Sequence, residues 1–317
     1  MPNFSLSQDS VGPYPRLWLR HPDGRALAML PQNGAAIHQI RLVAAGKPRD
    51  LLVSMHGAAE IAKNRWSKSA QLLPFPNRIR RGQYTFQGTE HQLPLNFPYE
   101  GGHAIHGFFC GLPWELSGQN LSEPDAWLDF SCAVPQGHPG FPFPCRAGLR
   151  VGFRDEAFRL EVRLENLGVV PMPAGWGWHP YFRTGTRIDS LELQLPPVRR
   201  LAVDEFNIPT GERRDFSGFA RSTAVGDGFL DAGLELEATS GEVVSTLSDR
   251  AKGYAISLTQ DAAVCRYLQV FTHPKRHGFA IEPMSCAVDA FNNGLGLQTV
   301  APGAEFHAGC RVSASDL

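Results

Sequence analysis

Apolar and polar residues alternate most clearly at 158–165, where Phe158, Leu160, Val162 and Leu164 interleave with Arg159, Glu161, Arg163 and Glu165. Successive strand residues face opposite ways, so this run predicts a strand with one buried face. Leu149, Val151 and Phe153 alternate in the same way just upstream. Residues 154–157 are then a hairpin connection, and residues 166–168 a turn. The pattern recurs at Leu234, Leu236 and Ala238, broken by Glu235 and Glu237, and at Tyr254, Ile256 and Leu258. Residues 268–271 read as a short buried strand. The three-to-four spacing of an amphipathic helix is scarce, and residues 58–71 are its best candidate. Many short strands between Gly, Pro, Asp and Asn turns predict an all-β fold, an antiparallel β-sandwich or a relative of one. No linker, low-complexity tract or charge block divides the chain, so residues 1–317 read as a single domain.

Composition adds exclusions. The 32 glycines and 25 prolines favour turns over long helices. A net charge of −1 leaves no basic excess to hold a phosphate backbone, so nucleic acid is not an expected partner. No apolar run reaches the length of a membrane span, and residues 1–10 lack the apolar centre of a signal peptide. A cytoplasmic protein without a membrane partner is expected. The six cysteines show no CxxC spacing and fit reduced thiols better than a disulfide framework or a zinc site.

Phosphate-loop, dinucleotide and nucleophile-elbow motifs are absent. The pairs His103/His106 and His273/His277 have no third ligand nearby in sequence, so neither is expected to hold a metal. What remains is polar residues set among aromatics: Asn77-Arg78, His106-Gly107, Trp176-Gly177-Trp178-His179 and Glu282-Pro283-Met284. Taken singly, Asn77 holds a turn after Pro76 and Arg78 is a solvated charge. His179 and Glu282 are the exceptions, because an imidazole and a carboxylate in apolar surroundings are where pKa values move. By strand alternation Trp176 and Trp178 face the core while His179 faces the other way; a ligand-stacking platform of Trp176, Trp178 and Tyr181 is the competing reading.

Together and in order, these segments resemble the aldose 1-epimerase family. The segments are 73–79 with Gly82 and 84–86, then His106-Gly107 with Trp114, His138-Pro139-Gly140 with 141–143, 173–182, and Glu282-Pro283-Met284 with 289–292. The resemblance runs from the twenties to the C-terminal region. It implies a large antiparallel β-sandwich, an aldose substrate, no cofactor and no metal. Mutarotation needs one base and one acid, expected on opposite sides of a hemiacetal. By resemblance, Glu282 is the base for the C1 hydroxyl and His179 the acid for the ring oxygen. His106 and Arg78 bind the sugar, with Asn77 shaping the loop before Arg78. The sugar-binding aspartate of the family has its counterpart in Asp231, with Asp227 as competitor; the residues after Asp231 depart from the family pattern. Two other readings stand beside an epimerase of free aldoses. One is a hexose-phosphate epimerase of the same superfamily, drawing on Lys63, Arg65, Lys68, Arg80 and Arg81. The other is a sugar-binding module without catalysis.

Overall fold

The computed structural model describes residues 3–99 and 101–317; Met1 and Pro2 of the polar N-terminal stretch, and Glu100, lie outside them. Antiparallel strands dominate, and among the described residues only two α-helices occur, Ala58–Lys63 and Ala290–Asn293. The hairpin expected around 154–157 is present: Cys145–Arg154 and Ala157–Asn166 pair in register from end to end, with Asp155 in the left-handed region at φ 54°. The helix expected over 58–71 ends at Lys63, a correction to its extent. Asn64 leaves the helical region at φ 28°, and its side chain bonds the Lys68 backbone in both directions, at 2.8 and 3.2 Å. That local bonding turns residues 64–68 into a loop.

Three sheets build the body. Strands from Ser5 to Asp50 form a five-stranded meander. A nine-stranded sheet includes Asp125–Val134, Cys145–Arg154, Ala157–Asn166, Glu305–Asp316, Tyr254–Asp261 and Glu242–Asp249. An eight-stranded sheet runs through Val198–Val203, Asp231–Leu236, Tyr267–Thr272, Phe279–Met284, Gly177–Trp178 and Gln71–Leu72, with Tyr181–Phe182 also on Phe279–Met284. One hydrophobic cluster draws from all three, for example Leu27 and Ile40, Leu160 and Val162, and Val270 and Ile281. The Phe158 and Trp178 rings, 6.1 Å apart, join the two larger sheets across it. No helix among the described residues is long and apolar enough to cross a membrane. The six cysteines are unbridged.

Candidate active site

The side of the eight-stranded sheet turned away from the core forms the floor of a cleft of about 550 Å³. Strand alternation sorts its residues. Ala232, Leu234, Leu268, Val270 and Ile281 point into the core, and Asp231, Gln269, Phe271 and Glu282 line the cleft. Pairing of Asp231 with Phe271, and of Gln269 with Glu282, places these side chains side by side. Gly233 opposes Gln269, whose side-chain oxygen packs where a Cβ at Gly233 would stand.

His179 arrives by the same register. Gly177 pairs with Met284 and Tyr181 with Ala280, which carries His179 opposite Glu282. Pro180, without an N–H, interrupts the strand between them. The backbone of His179 bonds instead to Ala70 O at 3.2 Å and from Ser69 N at 2.8 Å. Its Nε2 stands 3.4 Å from Glu282 Oε1. Trp176 and Trp178 lie wholly in the core, as alternation required, whereas Tyr181 lines the cleft with its ring 4.9 Å from that of His179.

A second wall comes from the paired strands Arg78–Arg80 and His103–Ile105. Just beyond them Asn77 and His106 face each other, both in the left-handed region at φ 53° and 64°. The His106 N–H donates to Asn77 O at 2.8 Å, and the Asn77 N–H donates to His106 Nδ1 at 3.2 Å. Nδ1 is therefore an acceptor and the neutral ring carries its proton on Nε2. Asn77 Oδ1 accepts from the Arg78 backbone at 2.9 Å and from Arg78 Nη1 at 3.0 Å, and the guanidinium sits over Phe97 at 5.1 Å. The His106 and His179 rings meet edge to face at 5.4 Å.

Burial sets the protonation of the buried groups. It pushes the Glu282 carboxyl well above the usual range, with the Asp231 charge adding to the rise. It holds His179 down to about 4, and it drives His106 far below its ordinary value, helped by His179 and Arg78. Burial disfavours the charged form of both Glu282 and His179, so between the acid and alkaline ends of their titration the touching pair carries one proton, on either partner.

All six residues singled out in the sequence converge here: Glu282, His179, His106, Arg78, Asn77 and Asp231 line one cleft. Asp227 is exposed and lies outside it. Of the basic residues considered for a phosphate, Lys63 and Arg65 line the cleft, Lys68 pairs with Glu60 at 2.5 Å, and Arg80 pairs with Asp204. Arg81 is exposed and away from the cleft. The pair His103/His106 comes apart: His106 faces the cleft while His103, deeply buried, accepts the Arg81 N–H at 3.2 Å. Sequence reading missed Gln269, whose Nε2 donates to Asp231 Oδ1 at 2.5 Å, and also Phe271 and Trp66. Alternation within Tyr267–Thr272 was the available signal for the first two.

The family model "Aldose 1-epimerase" matches residues 16–313. Two curated proteins of Escherichia coli (strain K12), both described as uncharacterized, are similar. YihR is 30% identical over 73% of this chain and 74% of its own length, and YphB is 28% identical over 73% and 78%. A galactose mutarotase-like protein from Clostridium acetobutylicum superposes with a TM-score of 0.86 at 16% identity, covering 99% of each chain. A galactose 1-epimerase from Lactobacillus acidophilus does so with a TM-score of 0.81 at 18% identity, over 100% and 99%. A family model matched from residue 16 to residue 313, with the same fold in its structural neighbours, places this chain in the aldose 1-epimerase family.

Proposed function

We propose that the protein interconverts the α and β anomers of a free aldose, with Glu282 and His179 moving the protons. The observation that carries this reading is the 3.4 Å approach of His179 Nε2 to Glu282 Oε1 on the floor of a sugar-sized cleft. The C1 hydroxyl oxygen and the ring oxygen are bonded to the same carbon. The groups that serve them must be near neighbours rather than stand across the ring, and this pair is.

Glu282 takes the proton of the C1 hydroxyl as the bond from C1 to the ring oxygen breaks, and His179 gives a proton to that oxygen. C1 becomes an aldehyde. Rotation about C1–C2 presents its other face, the ring oxygen attacks C1, and both protons return by the same route. The cycle consumes no cofactor. His106 Nε2–H and the Arg78 fork donate to sugar oxygens, and Asp231 accepts from hydroxyls. Asn77 acts by holding Arg78 and His106 in place.

Polarimetry on α-glucose and α-galactose tests the assignment. Wild type accelerates equilibration above the aqueous background, and Glu282→Gln and His179→Asn each lose roughly 10²–10⁴-fold with the fold intact. Full activity of Glu282→Gln, with background subtracted, would sink the reading.

One observation favours a phosphorylated sugar as a second reading: Lys63 and Arg65 line the same cleft and make no ion pair with a described residue. On that reading the double variant Lys63→Ala/Arg65→Ala raises KM for a hexose 6-phosphate about tenfold and leaves free aldoses unaffected. Equal KM values would rule it out.

A further inference from the structure

A second cavity, of about 360 Å³, adjoins the cleft, with Trp66 in the wall of both. The Trp66 ring packs at 6.3 Å from Phe271 on the cleft side and at 5.0 Å from His273 on the other. Lys68, Arg183 and Lys275 line this cavity against a single carboxylate, Glu60. Glu60 is already engaged: one oxygen accepts from Lys68 Nζ at 2.5 Å and the other from the His56 backbone at 2.6 Å. Arg183 and Lys275 make no ion pair with any described residue. His273 is 6% exposed, and its Nδ1 accepts the Lys275 N–H at 3.1 Å. That bond puts the ring proton on Nε2, which has no acceptor among the described residues. Burial first, then the charges of Lys68 and Lys275, hold this ring down to about 4, so it is a neutral donor at pH 7.

A buried N–H without an acceptor and two uncompensated cations in one concave wall have a common remedy. The structure assigns this cavity as an oxyanion-binding site, taking a phosphate, sulfate or carboxylate group between Arg183, Lys275 and the Nε2–H of His273. The group is either a free inorganic anion or the charged end of a small molecule. The site contains neither member of the proton-transfer pair, so it stands or falls independently of the epimerase reading.

The test is calorimetric titration with sodium sulfate, inorganic phosphate and glucose 6-phosphate, with ionic strength held constant by chloride. Wild type shows saturable binding at one site, in the millimolar range or tighter. Arg183→Ala/Lys275→Ala weakens it at least tenfold with an unchanged melting temperature, and Glu282→Gln binds sulfate and inorganic phosphate as wild type does. Lys275→Ala alone, at an exposed position, serves as the test should the double variant lose its fold. Equal affinity for phosphate and glucose 6-phosphate identifies a free anion as ligand. Tighter binding of the sugar phosphate, with the excess lost in the double variant, identifies an anion carried on a sugar. The assignment is overturned by no saturable binding of any of the three probes, or by wild-type affinity in the double variant.

Discussion

Burial acts on Glu282 and His179 in opposite directions, raising the carboxyl and holding the imidazole near 4. Between those limits the pair holds one proton, and this is the state that the proposed reaction uses in both directions. Acidification protonates both groups and removes the base. Alkali strips both and removes the acid. The expected kcat/KM profile is therefore bell-shaped, with an acid limb near 4 and an alkaline limb above the ordinary carboxylate range. Asp231 contributes to the rise at Glu282, so Asp231→Asn moves the alkaline limb to lower pH; a limb that stays put argues that burial alone sets it. The same carboxyl burdens the fold. Below the ordinary value of 4.5 both native and unfolded chains hold its proton. Above it the unfolded chain releases a proton that the native state keeps, so this group's contribution to stability falls as pH rises. Glu282→Gln, which cannot ionise, should melt a few degrees above wild type at pH 7, with the gap closing towards pH 4. Thermal melts at the two pH values check this, and a gap independent of pH would refute it.

At the scale of elements, several sequence motifs hold the site without entering it. Asp289 accepts the Arg80 N–H at 2.9 Å, and its own N–H donates to Arg78 O at 2.8 Å, which fastens the strand carrying Arg78. His138 stacks on Phe108 at 4.1 Å, two residues beyond His106. Gly107 has a positive φ of 65°, and a Cβ there would run into the carbonyl of Leu73, which accepts the Phe108 N–H at 2.9 Å. Gly107→Ala should cost at least ~2 kcal/mol and displace His106. Gly88→Ala, also at positive φ but with open space around it, should cost only about 1 kcal/mol. Urea unfolding compares them, and equal losses would show that the clash is relieved by movement. The motif residues were legible because polar groups among aromatics stand out in a sequence, and the long strands because alternation persists over Phe158 to Glu165. Gly177–Trp178, Tyr181–Phe182 and Gln71–Leu72 are two residues each and too short to carry a period. Gln269 and Phe271 were hidden because the run 268–271 read as buried throughout, with no face assigned to either side. Trp66 reaches the cleft only because Asn64 ends the helix early, a side-chain–backbone effect that apolar spacing does not encode.

Over the whole molecule, the cleft is as rigid as the contacts that tie the three sheets together. The N-terminal meander is fastened to the nine-stranded sheet by Phe4 stacked on Phe153 at 5.2 Å, and to the turn before Asp125–Val134 by Arg25 Nη2 at 2.5 Å from Glu123. Beyond its last strand, the Val53 N–H donates to Tyr181 O at 2.9 Å, beside His179. Leu19, Leu27 and Ile40 of the meander belong to the same hydrophobic cluster as Leu128, Leu160, Val270 and Ile281. Removing any one sheet would open that shared apolar interior to water, at about 25 cal/mol for each Å² exposed. No sheet buries its inner face alone, so residues 1–317 should unfold as one cooperative unit despite a length that admits two domains. The measurement is thermal or urea unfolding followed in parallel by tryptophan fluorescence, far-UV circular dichroism and the proposed mutarotase activity. Four of the six tryptophans, Trp114, Trp127, Trp176 and Trp178, report on the larger sheets and their flanks, and Trp18 lies in the meander. Coincident transitions, with calorimetric and van't Hoff enthalpies equal, are expected. An early transition seen by Trp18 in a variant with its other tryptophans replaced by phenylalanine, with the proposed activity retained, would show that the meander melts independently and that the cleft does not need it.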